Sequence, residues 1–179
     1  LALYAPIYDA EEHPAFGHGS GLEDPNREGH FNPSIGAYRL RGDEGTTQRW
    51  DDQIIPEDKT EWRSPKVLSA YLEANLASDP KSDTYSPPQH RAPNGVLMDL
   101  YYSATGRPLY DATNLTMPTM VIKGTNDPAS LTKDAMGLFE QLTEAPERQF
   151  VMIGDSSHFL TLERKRKELW SQVQAFLEE

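Results

Sequence analysis

Two residues in the last third of the chain have the types and spacing for proton-transfer chemistry. Asp127 stands in "MPTMVIKGTNDPAS" and His158 in "VMIGDSSHFLTLER", each a few residues beyond a short apolar run. An imidazole can take a proton from a nucleophile and return it to a leaving group when a carboxylate holds its other ring nitrogen and fixes the tautomer. An acid and a histidine that each follow a strand satisfy this if the strands are parallel neighbours, because both loops then open at the same edge of the sheet. The small residues Gly154-Asp155-Ser156-Ser157 leave room for the ring and a substrate, and Gly124 is expected to make the turn that aims the chain at Asp127.

The elements around these residues have the required order. A strand over 119 to 123 precedes a helix with Leu131, Ala135, Leu138, Phe139 and Leu142 at helical spacing. A second strand in "RQFVMIGDSSH" precedes a last helix whose stripe is Leu162, Leu169, Trp170, Val173, Phe176 and Leu177. Short apolar strands without alternation, each followed by an amphipathic helix, predict an α/β fold with a parallel sheet covered on both faces.

Earlier in the chain the texture differs. "LALYAPIY" reads as a strand, and the polar stretch from about 9 to 63, rich in Gly, Pro, Asp, Glu and Asn, reads as an irregular excursion. In "SPKVLSAYLEANLASDP", Ser64 is a good N-cap, Pro65 takes the first helical position, and Val67, Leu68, Tyr71, Leu72 and Leu76 fall on one face. "VLMDLYY" at 96 to 102 reads as another helix, stopped by Thr105-Gly106-Arg107-Pro108.

These segments resemble the C-terminal part of the α/β-hydrolase fold superfamily. "MPTMVIKGTNDPAS" looks like its acid-bearing strand and loop. "VMIGDSSHFLTLER" with the helix after it looks like its histidine loop and closing helix, including an acidic residue, Glu163, shortly after the histidine. "LALYAPIY" is similar to the strand that follows the nucleophile's helix. The resemblance implies a core strand at 1–8, a mostly helical and irregular cap inserted at 9–106, and the C-terminal part of the core at 107–179. It carries over Asp127 and His158 as the last two members of a triad, in the chain order nucleophile, acid, histidine.

The family's Gly-x-Ser-x-Gly elbow is absent: "GHGSG" at 17 to 21 has Gly19 where the serine should be, and "GDSSH" has His158 where the second glycine should be. The nucleophile and the oxyanion hole are therefore expected from an N-terminal half outside this chain, which fits an opening without methionine or a basic leader. The implied function is cleavage of an ester, thioester or amide of a small organic molecule by a Ser-His-Asp mechanism. The alternatives are an aspartate-nucleophile dehalogenase or epoxide hydrolase, and a non-catalytic hydrolase-like binding protein.

Composition narrows the partners. With 17 basic against 28 acidic residues the net charge is -11, and "ERKRKE" at 163 to 168 is short and mixed in sign, so no nucleic-acid partner is expected. The longest nearly apolar stretch, "LALYAPIY", falls far short of the ~20 residues that span a bilayer, and a cytoplasmic location is expected. The absence of cysteine excludes a thiol nucleophile and a disulfide framework. No cofactor and no metal are expected, since His13 and His18 lack a ligand pattern around them. His30 and His90, like those two, read as surface residues, and Asp155 as a turn residue. Trp50, Trp62, Tyr101 and Tyr102 are the candidates for a substrate-binding pocket under the cap.

Overall fold

The computed structural model describes residues 1–8 and 13–178, so the opening of the expected cap at 9–12 lies outside the described residues. The chain runs through strands β1 (Ala2–Tyr4), β2 (Glu23–Asp24), β3 (Arg27–Phe31) and β4 (Tyr38–Arg41), then helices α1 (Asp43–Asp51) and α2 (Pro65–Ala77). Strand β5 (His90–Pro93) and helix α3 (Gly95–Ser103) follow, and β6 (Thr119–Asn126), α4 (Thr132–Gln141), β7 (Arg148–Ser157) and α5 (Arg166–Glu178) complete the order.

The α/β class follows from the main sheet, which is parallel throughout with the order β1-β6-β7. Its central strand, β6, is buried without a break over residues 119–124 because both of its faces are covered. Val121 packs with Ala135, Leu138 and Leu142 of the α4 side, whereas Met120 and Ile122 point the other way, onto Leu169 and Phe176 of α5. Burying each of these large side chains contributes about 1.5–3 kcal/mol. The predicted β-α-β-α order of the last third is therefore what forms. One detail differs: Leu162 lies in the turn before α5, and Trp170 and Leu177 face outward, where with Ala2 and Tyr4 of β1 they line an open apolar groove of about 690 Å³.

The stretch from 13 to 63, expected to be irregular, contains short regular pieces. Asp24 pairs with Arg27 across Pro25-Asn26, closing a tight β2–β3 ribbon, and β4 pairs antiparallel with β5, joining 38–41 to 90–93. That second pairing spans nearly fifty residues, so no local pattern announces it. Helix α1 has no apolar stripe either, as only Thr46 and Trp50 are buried on it. The region between the first and second sheet strands is thus mostly helical and irregular, as expected, with two short two-stranded ribbons added to it. Helices α2 and α3 form where the periodicity predicts them, with Pro65 opening α2 after an extended Ser64.

Candidate active site

The carboxylate of Asp127 and the imidazole of His158 meet at the carboxyl ends of β6 and β7. His158 Nδ1 lies 2.9 Å from Asp127 Oδ2 and 3.1 Å from Oδ1. Asp127 Oδ1 also accepts the backbone N–H groups of Ala129 and Ser130, both at 2.9 Å, so the acid is anchored by its own loop. Its side chain is fully buried, whereas the imidazole is 29% exposed. A carboxylate on Nδ1 requires the proton there and leaves Nε2 as the basic nitrogen. His158 borders a cavity of about 790 Å³ between the main sheet and the layer formed by 13–106.

Two local irregularities bring these side chains together. Between the pairs Gly124↔Ile153 and Asn126↔Ser157, β6 advances two residues while β7 advances four, so β7 bulges. Asp155, expected as a turn residue, sits at the crest of the bulge with φ +50°. A bulge bends its strand and re-aims the side chains beyond it, here His158. Gly124, expected to make a turn, lies inside β6. A Cβ there would stand 2.7 Å from Ser157 O and 2.8 Å from Ser156 O, so glycine is needed for close approach of the bulged strand.

The histidine loop is held from three directions. Glu163, fully buried, accepts from Ser157 N at 2.9 Å, Ser157 Oγ at 2.5 Å and Trp50 Nε1 at 3.0 Å. Gln53 Oε1 accepts the N–H of His158 at 3.1 Å, and the Tyr4 hydroxyl donates to the His158 carbonyl at 2.8 Å. Burial first, then the negative charges of Asp127 and Glu163, push the Tyr4 phenol well above its ordinary value and keep it a donor. Phe159, next to the base, stacks on Trp50 with ring centroids 4.9 Å apart, within a cluster that includes Ile54 and Trp62.

None of the four aromatic candidates for substrate contact lines the His158 cavity. Trp50 and Trp62 are buried behind the histidine loop, because the indole of Trp50 is needed by Glu163. Tyr101 is buried and donates to Glu23 Oε1 at 2.9 Å; burial and that carboxylate push its phenol up to about 12. Glu23 is held at about 2, first by the Gly29 N–H and then by His18 and Tyr101. Tyr102 lies under the Arg107 guanidinium, 4.3 Å from its ring centroid. These aromatics hold together the layer above the sheet.

His13, expected at the surface, is fully buried. Its Nδ1 accepts from Ala15 N at 3.1 Å, which leaves Nε2–H to donate to Ala129 O, also at 3.1 Å, so it ties its segment to the acid loop. His18 pairs with Glu23 at 3.1 Å, His30 is exposed and His90 is half-buried on β5. Among the described residues no cluster of three or more candidate ligands could hold a metal ion. No helix among them is long and apolar enough to cross a membrane.

Sequence reading missed Gln53, the bonding role of Glu163, and three arginines, Arg39, Arg41 and Arg49, that line the His158 cavity. Arg39 and Arg41 left a local signal, since "YRLR" at 38 to 41 alternates, but with the charged positions facing in.

No protein-family model matches the chain, and no curated protein matches it. Among solved structures it is similar to one described as a non-heme bromoperoxidase, BpoC, from Mycobacterium tuberculosis H37Rv, at 14% identity and a TM-score of 0.40. That alignment covers 76% of this chain and 50% of the other, so the chain spans half the length of that neighbour.

Proposed function

We propose that this chain supplies the acid and the base of an α/β-hydrolase active site that cleaves an ester, thioester or amide of a small organic substrate. The observation that carries the reading is the buried Asp127 carboxylate on Nδ1 of His158, with the ring bordering a cavity large enough for a small molecule.

Neither neighbouring serine is free to act as the nucleophile. Ser157 Oγ is bound to Glu163, and Ser156 Oγ donates to Ile153 O at 2.8 Å. The nucleophile is a serine on a strand outside this chain that pairs with the open edge of β1, beside Tyr4, and the apolar groove of Trp170 and Leu177 is surface that such a segment covers. His158 Nε2 takes the serine proton as the hydroxyl oxygen attacks the carbonyl carbon. The imidazolium, held by Asp127, gives that proton to the departing alcohol, thiol or amine, leaving an acyl-enzyme. A water molecule then gives a proton to Nε2 as its oxygen attacks the acyl carbon, and the serine leaves with that proton.

The test is steady-state hydrolysis of p-nitrophenyl butyrate by the full-length protein carrying these residues. Loss of turnover in His158→Ala with an unchanged unfolding midpoint is the expected result. Turnover equal to that of the parent protein would overturn the reading.

A further inference from the structure

Strand β4 is turned inside out for a chain with net charge -11. Its apolar residues, Tyr38 and Leu40, are 49% and 41% exposed, while Arg39 and Arg41 are half-buried and face the His158 cavity. Helix α1, which follows at once, adds Arg49, whose guanidinium carbon lies 5.5 Å from the ring centroid of Phe159, the residue after the base. The three arginines also line a smaller adjoining space of about 170 Å³, together with His90.

Carboxylates are plentiful in this chain, yet among the described residues none pairs with these arginines. Arg63 forms a two-pronged pair with Asp51, and Arg91, on the opposite face of the β4–β5 ribbon, forms one with Asp79. Among the described residues, the side chains of Arg41 and Arg49 have no hydrogen-bond or ion-pair partner. Arg39 gives Nη1 to Pro93 O and Asn94 Oδ1, but among the described residues its buried Nε has no partner, nor does buried Nδ1 of His90. Among the described residues, the one carboxylate residue lining the large cavity is Asp52, which accepts from Gln48 Nε2 at 2.5 Å. Burial, then the charges of Arg41 and Arg49, lower the Arg39 guanidinium from its ordinary value. Grouping like charges at a partly desolvated wall is unfavourable unless an anion joins them, and planar guanidinium groups match the paired oxygens of carboxylate and phosphate.

We propose that Arg39, Arg41 and Arg49 form the subsite for an oxyanion group, a carboxylate or a phosphate, carried by the substrate at a distance from the bond that His158 cleaves. The proposal rests on the hydrolase reading for the cleavage and on the cavity alone for the binding. Phe16, Leu97 and Leu100 line the same cavity and take the apolar link between the two ends of such a substrate.

The experiment compares mono-p-nitrophenyl glutarate with its methyl ester, which differs in lacking the free carboxylate, on the full-length protein and its Arg41→Gln and Arg49→Gln variants. The expected result is a kcat/KM for the free acid at least tenfold above that for the methyl ester, with the ratio falling about tenfold or more in either variant. Glutarate and glycerol phosphate, used as competitors, separate the sources: stronger inhibition by the first assigns a carboxylate, by the second a phosphate. Equal turnover of the two esters, with a ratio that the variants leave unmoved, overturns the oxyanion subsite while the hydrolase reading stands. If neither ester is cleaved and a fluorophosphonate leaves no adduct, the hydrolase reading fails, and calorimetric titration with glutarate and with glycerol phosphate decides the subsite. Binding of either that Arg41→Gln weakens about tenfold or more supports it, and absence of binding of both overturns it.

Discussion

Trp50, on α1, donates its indole N–H to Glu163, 3.0 Å away, and through that carboxylate the layer above the sheet grips the loop that carries His158. Three donors converge on this one buried group, so its negative charge is matched without a cation. Glu163→Gln puts an amide N–H against at least one of those donors, and the expected cost is about 1–3 kcal/mol of stability with reduced turnover. Trp50→Phe keeps a ring against Phe159 and removes one donor, so its cost is smaller, about 1 kcal/mol. Urea unfolding of both variants checks the order.

Asp127→Asn is expected to leave the fold intact and to lower kcat steeply. The amide nitrogen in place of a carboxylate oxygen favours the wrong imidazole tautomer, and in a comparable serine-protease triad such a change costs about 10⁴-fold. Single-turnover kinetics on a nitrophenyl ester, alongside circular dichroism, measures both halves of the expectation. A loss under tenfold would contradict the pairing as the catalytic arrangement.

Gly124→Ala is expected to destabilise by about 1–3 kcal/mol or more, since the new methyl would meet two backbone carbonyl oxygens below 3 Å. Gly137, on α4, has nothing within 4 Å of the added Cβ, and Gly137→Ala is expected to stabilise by about 0.5–1 kcal/mol. Opposite shifts of the two urea midpoints are the check.

These two glycines also mark the limit of what the chain reveals before it folds. The runs in β6 and β7 are legible as short apolar stretches, 120–122 and 150–153; β6 is covered on both faces, and β7 is more open. Gly124 reads locally as a turn, since its real constraint comes from residues 156 and 157 on another strand. The Asp127–His158 pair is legible from two loops following two such strands. Glu163 is visible only as an acid near the histidine, because one of its donors, Trp50, arrives from 113 residues earlier. The inward arginines of β4 stayed hidden because 38–41 gains its facing direction by pairing with 90–93. Trp50, Trp62 and Tyr101 drew notice as large aromatics, and their burial is governed by polar partners or packing that spacing does not encode.

Acid is expected to weaken the hold of the His13 segment on the acid loop. Burial lowers the His13 value from its ordinary one, against the opposing pull of Asp134. The unfolded histidine therefore binds a proton as the pH falls through about 6.5 while the folded one does not, and stability drops from that point downward. Asp134 acts in the reverse sense: burial raises its carboxyl, so the folded state binds that proton first and gains stability as the pH falls through its folded value. His13→Gln removes the titrating ring, and its urea midpoint is expected to fall less than that of the parent protein between pH 7.5 and 5.5. An equal fall in both proteins would contradict this.

The most direct test of the Asp127–His158 pair as a working acid and base is the rate at which a fluorophosphonate forms a covalent adduct, followed by intact mass on the full-length protein. The account predicts one adduct per molecule, on a serine outside these 179 residues, and a rate at least a thousandfold lower in His158→Ala, on the order of the loss when a triad member is removed. No adduct on the parent protein, or one that forms as fast without His158, would contradict it.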